Sequence, residues 1–346
     1  MKFNFLHPIF ILFVLSSLGI SAYAQVDPTP SAYNTVKREV FKAPGFKSEA
    51  DYPSIPENNK VTLTEYFDGL GRGIATIGHR QGPYNENLVS ITGFDAQGRT
   101  DTVFLPFAVP TNQMLTTIKQ ARIDQKNFYT VQNNNKVAKD NKPFAVTMYE
   151  NSPLGLTLEQ SAPGTDWQLG SGHTVKEFIT TNTLNQVRIW KPDLTGSAFY
   201  PANSLLVSEL VDEHGNKTIR ISDKAGKLLE EHKQVTATEY LKTLYIYNDN
   251  GSLKHVLQPE GVKQLAAATT ISASLLESFG FTYTYDQRGR LIEKKVPGAA
   301  TEFYCYDVLD RLVLMQDGNL RTSNKWMFIK YDVKNRPVQQ GIYTNT

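Results

Sequence analysis

The chain has a single cysteine, Cys305, among 346 residues. That excludes an intrachain disulfide framework. Cys305 sits in the aromatic run Phe303-Tyr304-Cys305-Tyr306 and reads as a small core residue of a strand. Excess charge of either sign is also lacking: 36 Lys and Arg stand against 34 Asp and Glu, a net charge of +2. Such a balance does not steer the chain toward nucleic acid or an acidic surface. Pairs such as Lys37-Arg38 and Lys294-Lys295 are too short for a nucleic-acid stripe. No long apolar run follows residue 20, so no later segment could cross a bilayer as a helix. Tryptophan is scarce, 3 against 17 tyrosines, a ratio that suits half-exposed sheet faces.

Catalytic constellations are missing as well. The 6 histidines show no metal-ligand spacing. Gly170-Ser171-Gly172-His173 lacks the G-x-S-x-G spacing of a nucleophile turn and reads as a Gly-rich turn. Asn248-Asp249-Asn250-Gly251 evokes a calcium loop. With Gly251 in the sixth place, however, the first and twelfth places fall on Ile246 and Leu257, and neither is a ligand. Glu230 and Glu231 are adjacent, so on a strand they face opposite ways and cannot serve as a glycosidase pair. The expectation is a protein that is not an enzyme, with no cofactor and no metal.

The N-terminus reads as a signal peptide over 1–24: Lys2, an apolar stretch from Leu6 to Ile20, and the small-x-small site Ala22-Tyr23-Ala24. Cleavage after Ala24 predicts a periplasmic, cell-surface or extracellular protein with no remaining transmembrane span. Residues 25–60 carry Pro28, Pro30, Pro44, Pro53 and Pro56 and little periodicity, which predicts an extended arm or linker.

What the chain does have is one short phrase, repeated: an aromatic or apolar residue, Asp, two variable residues, a turn residue, then usually Arg or Lys. It stands at Phe67-Asp68-Gly69-Leu70-Gly71-Arg72, Phe94-Asp95-Ala96-Gln97-Gly98-Arg99, Tyr285-Asp286-Gln287-Arg288-Gly289-Arg290, Tyr306-Asp307-Val308-Leu309-Asp310-Arg311 and Tyr331-Asp332-Val333-Lys334-Asn335-Arg336. Weaker copies start at Val211-Asp212, Ser222-Asp223 and Tyr247-Asn248. Three places past the Asp stand Gly71, Gly98, Gly215, Gly226, Gly251, Gly289, Asp310 and Asn335. Gly, Asp and Asn are the residues that accept positive φ, so this place predicts the left-handed residue of a hairpin turn. The Asp can accept backbone N–H groups across the turn, and the Arg four places on can pair with it. Asn248 and Ser252 lose both partners of that pair in one copy.

The flanks alternate, as in Thr282-Tyr283-Thr284-Tyr285, and predict strands. The chain therefore divides into N-terminal hairpins over 61–110, an accessory β-rich segment over 111–205, and a hairpin sheet over 206–346. Helix formers over 113–125 predict one short helix, followed by a polar loop over 126–142. The Ala- and Leu-rich 259–278 predicts one or two more. The fold class is mainly β, repeated antiparallel hairpins with one or two short helices.

The phrase resembles the YD repeat of the Rhs/YD-repeat family of exported bacterial proteins. The likeness is most specific at Tyr285-Asp286…Gly289-Arg290-Leu291, Tyr306-Asp307…Asp310-Arg311-Leu312-Val313…Gln316-Asp317-Gly318-Asn319 and Lys330-Tyr331-Asp332…Arg336-Pro337-Val338. Tyr66-Phe67-Asp68-Gly69-Leu70-Gly71-Arg72 and Pro163-Gly164…Trp167…Gly170-Ser171-Gly172-His173-Thr174 are similar to the opening domain of long Rhs-type proteins, a domain of unknown function. The resemblance implies a spiral β-sheet that closes into a shell around a C-terminal toxin or cargo, with this chain as the front part. The implied partners are a C-terminal shell or toxin continuation, or a second copy of the chain. The implied role is a non-enzymatic exported scaffold for effector delivery or cell-surface contact.

The alternative is a carbohydrate- or surface-binding module, with Trp167 or Trp190 stacking on a glycan or cell-surface ligand. The last strand, Val338 to Tyr343, is expected to present unpaired backbone groups to another chain.

Overall fold

The computed structural model describes residues 33–42, 55–56, 59–112, 115, 117–131 and 137–344, and the backbone alone of the short strands Leu12–Val14 and Ser21–Gln25. The signal-peptide reading of 1–24 falls on residues whose side chains lie outside those described. The chain forms two compact units, Met1–Lys176 and Glu177–Thr346. Twenty-two strands with described side chains stand in antiparallel ladders.

In the first unit, β1 (Asn34–Phe41), β2 (Lys60–Phe67), β3 (Gly73–Gly78) and β4 (Asn87–Phe94) form a meander. The far end of β4 pairs with β5 (Thr100–Phe104), and its near end pairs with β6 (Phe107–Val109). The ladder goes on through β7 (Phe144–Tyr149), β8 (Thr157–Gln160) and the start of β9 (Val175–Thr181). Alternation on β4 buries Asn87, Val89, Ile91 and Gly93 in turn. This face packs with Tyr66, Ile77, Phe107 and the helix α1 (Ile118–Thr130) into one apolar cluster.

Two expectations change here. Within the supposed arm over 25–60, residues 34–41 are a strand paired along its whole length with β2. Its alternation is disguised by charge, because the inward places include Glu39. That carboxylate is held 3.4 Å from Lys37 Nζ and 3.5 Å from Lys60 Nζ, and it accepts the Thr62 hydroxyl at 3.3 Å. The helix expected over 113–125 starts later, where Thr117 caps it by accepting from Gln120 N at 3.0 Å. It runs on into the supposed loop over 126–142, because Phe128 and Tyr129 pack on the cluster and Tyr129 donates to Pro106 O at 2.6 Å.

In the second unit, a small pair, β10 (Arg188–Ile189) and β11 (Ala198–Phe199), precedes eleven strands that pair in chain order. These are β12 (Leu206–Val211), β13 (Lys217–Ser222), β14 (Leu228–Gln234), β15 (Tyr240–Tyr247), β16 (Leu253–Leu257), β17 (Gly280–Tyr285), β18 (Leu291–Lys295), β19 (Glu302–Tyr306), β20 (Leu312–Gln316), β21 (Lys325–Tyr331) and β22 (Pro337–Thr344). Between β16 and β17 stand α2 (Pro259–Leu265) and α3 (Ala273–Phe279). They cover Leu244, Ile246 and Leu257.

Among the described residues the helices number four, against the one or two of the expected fold class. The fourth, α4 (Gly318–Thr322), is a single capped turn in which Asp317 accepts from Leu320 N at 2.7 Å. The boundary between units falls inside the segment read as accessory, 111–205, so residues up to 176 go with the first sheet and the rest with the second. Cys305 is exposed rather than in a core. Beyond Ile271 no apolar side chain among the described residues is fully buried, so there is no core for it to join.

Candidate functional site

The turn between β17 and β18 shows what the phrase does. Asp286 N donates to Arg290 O, and Gly289 N to Asp286 O, both at 3.0 Å. Asp286 Oδ1 accepts from the N–H groups of Arg288 and Arg290 at 2.9 Å each, and Oδ2 accepts from Arg290 Nε at 2.7 Å. The Arg290 N–H, with its side chain also donating, holds the Asp286 carboxyl below the usual range. The same frame recurs at Asp68–Arg72, Asp95–Arg99, Asp307–Arg311 and Asp332–Arg336, each with Arg Nε 2.7 Å from Asp Oδ2. At Asp212 the second donor is Asn216 Nδ2, at 3.0 Å. At Asn248 only the backbone part survives, Ser252 N to Oδ1 at 2.8 Å.

The residue three places past each Asp has positive φ: 78° at Gly71, 83° at Gly98, 77° at Gly289, 61° at Asp310 and 61° at Asn335. Gly215, Gly226 and Gly251 lie between 81° and 82°.

The phrase also reaches forward to the next turn in its row. Arg72 lies over the Phe94 ring at 4.5 Å, Arg290 over Tyr306 at 5.1 Å, Arg311 over Tyr331 at 5.0 Å, and Lys227 over Tyr247 at 5.7 Å. The same cation sits beside the left-handed residue of that next turn. Arg290 Nη1 is 2.7 Å from Asp310 Oδ1, and Arg311 Nη1 donates to Asn335 Oδ1 at 2.9 Å. Where that place is glycine, the cation takes the room of the missing side chain: a Cβ on Gly98 would stand 2.8 Å from Arg72 Nη1, and one on Gly251 2.8 Å from Lys227 Nζ.

The tyrosine of each phrase reaches backward. Tyr247, Tyr285, Tyr306 and Tyr331 donate their hydroxyls to the carbonyls of Leu228, Leu253, Leu291 and Leu312, all at 2.9 Å. Each acceptor is the residue just after the last place of the preceding phrase, a cation in every case but Ser252. Neighbouring hairpins are thus stapled in both directions. Asn216 and Ser252 are the exceptions, and nothing lies within 4 Å of a Cβ built on the Gly226 or Gly289 that follows them.

Sequence reasoning missed one copy, Tyr149-Glu150…Gly155-Leu156. Arg99 stacks on Tyr149 at 4.6 Å and donates to Glu150 O at 3.0 Å. Tyr149 donates to Thr100 O at 2.8 Å, and Gly155 has φ 64°. Glu replaces Asp and two extra residues lengthen the turn, so only the Tyr-acid start and the late Gly remained to signal it.

Elsewhere, Glu230 faces His232 Nε2 at 2.7 Å and Lys242 at 3.0 Å, while Glu231 faces Arg220 at 3.1 Å and Lys233 at 3.3 Å. Of the two tryptophans considered for glycan stacking, Trp190 packs beside the cluster under α2 and α3. Trp167 is 38% exposed, 5.5 Å from the His173 ring. Among the described residues no group of three or more His, Cys, Asp or Glu is placed to hold a metal, and no helix is long and apolar enough to cross a membrane.

Comparison with known proteins bears on the fold. Residues 40–181 match the model of a domain of unknown function, DUF6443. A search of the curated proteins gave no match. Among solved structures, the chain is similar to TcdB2-TccC3 with a TM-score of 0.60 at 13% identity, over 94% of this chain and 14% of that one. TcdB2-TccC3-Cdc42 gives 0.58 at 14% identity, over 92% and 14%. A Photorhabdus luminescens Tc holotoxin pore carrying TccC3-D651A gives 0.56 at 13%, over 90% and 13%. The chain shares its fold with these proteins, a mainly β arrangement of antiparallel strands, and spans about an eighth to a seventh of their length.

Proposed function

We propose that the chain is an exported, non-enzymatic scaffold, a segment of a YD-repeat shell used in effector delivery or contact with other cells. The observation that carries this reading is the row of staples. Arg72, Arg99, Lys227, Arg290 and Arg311 each lie over the ring of the next phrase, and Tyr149, Tyr247, Tyr285, Tyr306 and Tyr331 bond back to the hairpin before. Nearest-neighbour coupling of this kind builds an extended wall from a short repeated unit. The likeness to parts of a Tc holotoxin supports the same reading at the level of fold.

The test is limited proteolysis of the exported chain. A scaffold resists cleavage at the Asp turns, because their amides and carboxylates are bonded, and its N-terminal sequencing begins at Gln25. Rapid cleavage within 286–290, 307–311 and 332–336 would overturn the reading. The alternative, a carbohydrate-binding module, draws on the exposed Trp167 beside His173. A glycan-array signal abolished by Trp167→Ala would favour it over the scaffold.

A further inference from the structure

The inward face of β1–β4 changes character along its length, and the register fixes its rows. One row is Thr35, Tyr66, Ala75 and Ile91, each 5% exposed or less. The next is Lys37, Thr64, Ile77 and Val89. The third holds the pair Glu39 and Thr62, with His79 and Asn87 one place past the pair Gly78–Leu88. Glu39, Thr62 and Asn87 are 2%, 5% and 1% exposed. Burying polar groups is costly, and polar choices made against the pattern of a face mark functional places. This end of the face borders a cavity of about 320 Å³, lined by Lys37, Glu39, Thr62, His79, Arg80 and Asn87 among others. Glu39 Oε1 lies 3.4 Å from Lys37 Nζ and 3.5 Å from Lys60 Nζ. The Thr64 hydroxyl and His79 Nε2 are 2.8 Å apart. Asn87 Oδ1 accepts from Arg80 N at 3.1 Å, and its Nδ2 donates to Thr111 O at 3.2 Å. Arg80 has φ 53°, a left-handed backbone that arginine seldom takes. Such strain persists where the surroundings impose it, and it clusters at binding sites. Arg80 is exposed, and among the described residues its guanidinium has no carboxylate partner.

We propose that this cavity is a binding site for a small hydroxylated carboxylate, a sugar acid of the size of a hexuronate. Arg80 supplies the planar pair of donors that a carboxylate matches. Lys37, Glu39 and His79 offer the mixture of donors and acceptors that hydroxyls need. Lys37 and Arg80 against Glu39 leave the lining one positive charge when His79 is neutral, which suits a monoanion. The buried Glu39 disfavours a dianion such as phosphate by like-charge repulsion. The volume stands at the small end of ligand clefts, about 300–1,000 Å³, so the cavity takes one sugar ring and not a chain. The site uses none of the staples between hairpins, so it goes beyond the scaffold reading and does not rest on it.

The test is isothermal titration calorimetry of the full chain with sodium D-glucuronate, and in parallel with D-glucose, acetate and inorganic phosphate. The expected result is saturable binding of glucuronate at one site per chain, at least tenfold tighter than that of the other three. Glucose lacks the charge, acetate lacks the hydroxyls, and phosphate brings a second charge. Arg80→Gln should weaken glucuronate binding at least tenfold. Arg80 is exposed, so the variant keeps its fold, which circular dichroism checks. Glucuronate should also slow hydrogen exchange over residues 79–87 and leave β17–β22 unchanged. Absence of saturable binding, equal binding of glucose, acetate or phosphate, equal binding by Arg80→Gln, or protection confined to β17–β22 would each overturn the site. None of these outcomes touches the scaffold reading, which stands or falls on the proteolysis of the turns.

Discussion

The meander β2–β4 in the first unit and the hairpins β17–β22 in the second are both antiparallel sheets with Asp turns, yet they are held by different means. β2–β4 bury Tyr66, Ile77, Val89 and Ile91 to 3% exposure or less, beneath α1 and β6. β17–β22 have no apolar side chain buried to that degree among the described residues. There the phrase is most regular, and the contacts between hairpins are carried by Arg-over-ring stacking and tyrosine-to-carbonyl bonds. A repeated motif is thus densest where the core is thinnest. Breaking burial should hurt the first region most, and breaking a turn or staple should hurt the second.

The largest effect is expected from Tyr66→Ala, which empties a fully buried site and should cost ~3–5 kcal/mol. Val313→Ala on β20, whose side chain is half-buried, should cost less than half as much. Urea denaturation of the two variants checks this, and equal losses would erase the contrast.

Turn glycines come next. A Cβ at Gly289 meets nothing within 4 Å, so Gly289→Val is charged only for its backbone at φ 77°, about 1–2 kcal/mol. Gly98→Val should cost more, because its side chain also collides with the Arg72 guanidinium. The same denaturation midpoints decide it, and a larger loss at Gly289 would contradict the forward staple.

How much of this the sequence disclosed follows from which atoms did the selecting. The left-handed place was legible because only Gly, Asp and Asn tolerate it cheaply, so backbone geometry printed itself on the residue type. The frame Asp–Arg was legible for the same reason: both ends lie within five residues. The staples were not, since Arg290 and Tyr306 belong to different copies and nothing local ties them. β1 was hidden by an inward Glu39 and the Lys37-Arg38 pair, which break the apolar alternation that marks a strand. The exposure of Cys305 depends on an uncovered sheet face, a tertiary fact that an aromatic run cannot report.

A third comparison isolates the backward staple. Tyr306→Phe keeps the ring over which Arg290 lies and removes only the bond to Leu291 O, a loss of about 1 kcal/mol. Thermal denaturation reads it. Tyr285→Phe tests the same bond to Leu253 O where no cation among the described residues stacks on the ring, so a matching loss there would show that the two halves of the staple act independently.

Acid should act more weakly still. Asp68, Asp286 and Asp332 are held below the usual carboxylate range first by the N–H of the Arg four places on, and Asp307 first by the Arg311 side chain. A depressed folded pKa means that the stabilisation is complete above the unfolded value, about 3.9, and fades as pH falls through the lower folded values. Replacing Asp286, Asp307 and Asp332 by Asn should therefore flatten the fall in melting temperature below about pH 4. An unchanged acid limb would mean that these turns do not carry it. Glu230, which burial pushes up but His232 and Lys242 lower by more, should keep its own part of the limb.

The smallest global effect is expected where the protein has already made the experiment. The Asn248/Ser252 turn lacks the carboxylate and the guanidinium, yet it keeps Asn248 N to Ser252 O at 2.9 Å, Gly251 N to Asn248 O at 2.9 Å and Ser252 N to Asn248 Oδ1 at 2.8 Å. Asp286→Asn with Arg290→Ser turns the next hairpin into a second such copy. The backbone frame and the Tyr306 hydroxyl bond to Leu291 O should persist, because neither uses the lost groups. What goes is the cation over Tyr306, its bond to Asp307 O and its pairing with Asp310, all at a solvent-exposed turn where ion pairs contribute little. Folding should stay cooperative, with the denaturation midpoint moving less than for Gly289→Val. Hydrogen exchange should quicken over 286–311 and stay unchanged over β2–β4, as nearest-neighbour coupling requires. Loss of folding in the double variant would mean that the Asp–Arg frame is needed to form the turn, and that Asn248/Ser252 is tolerated only because α2 and α3 cover its strands.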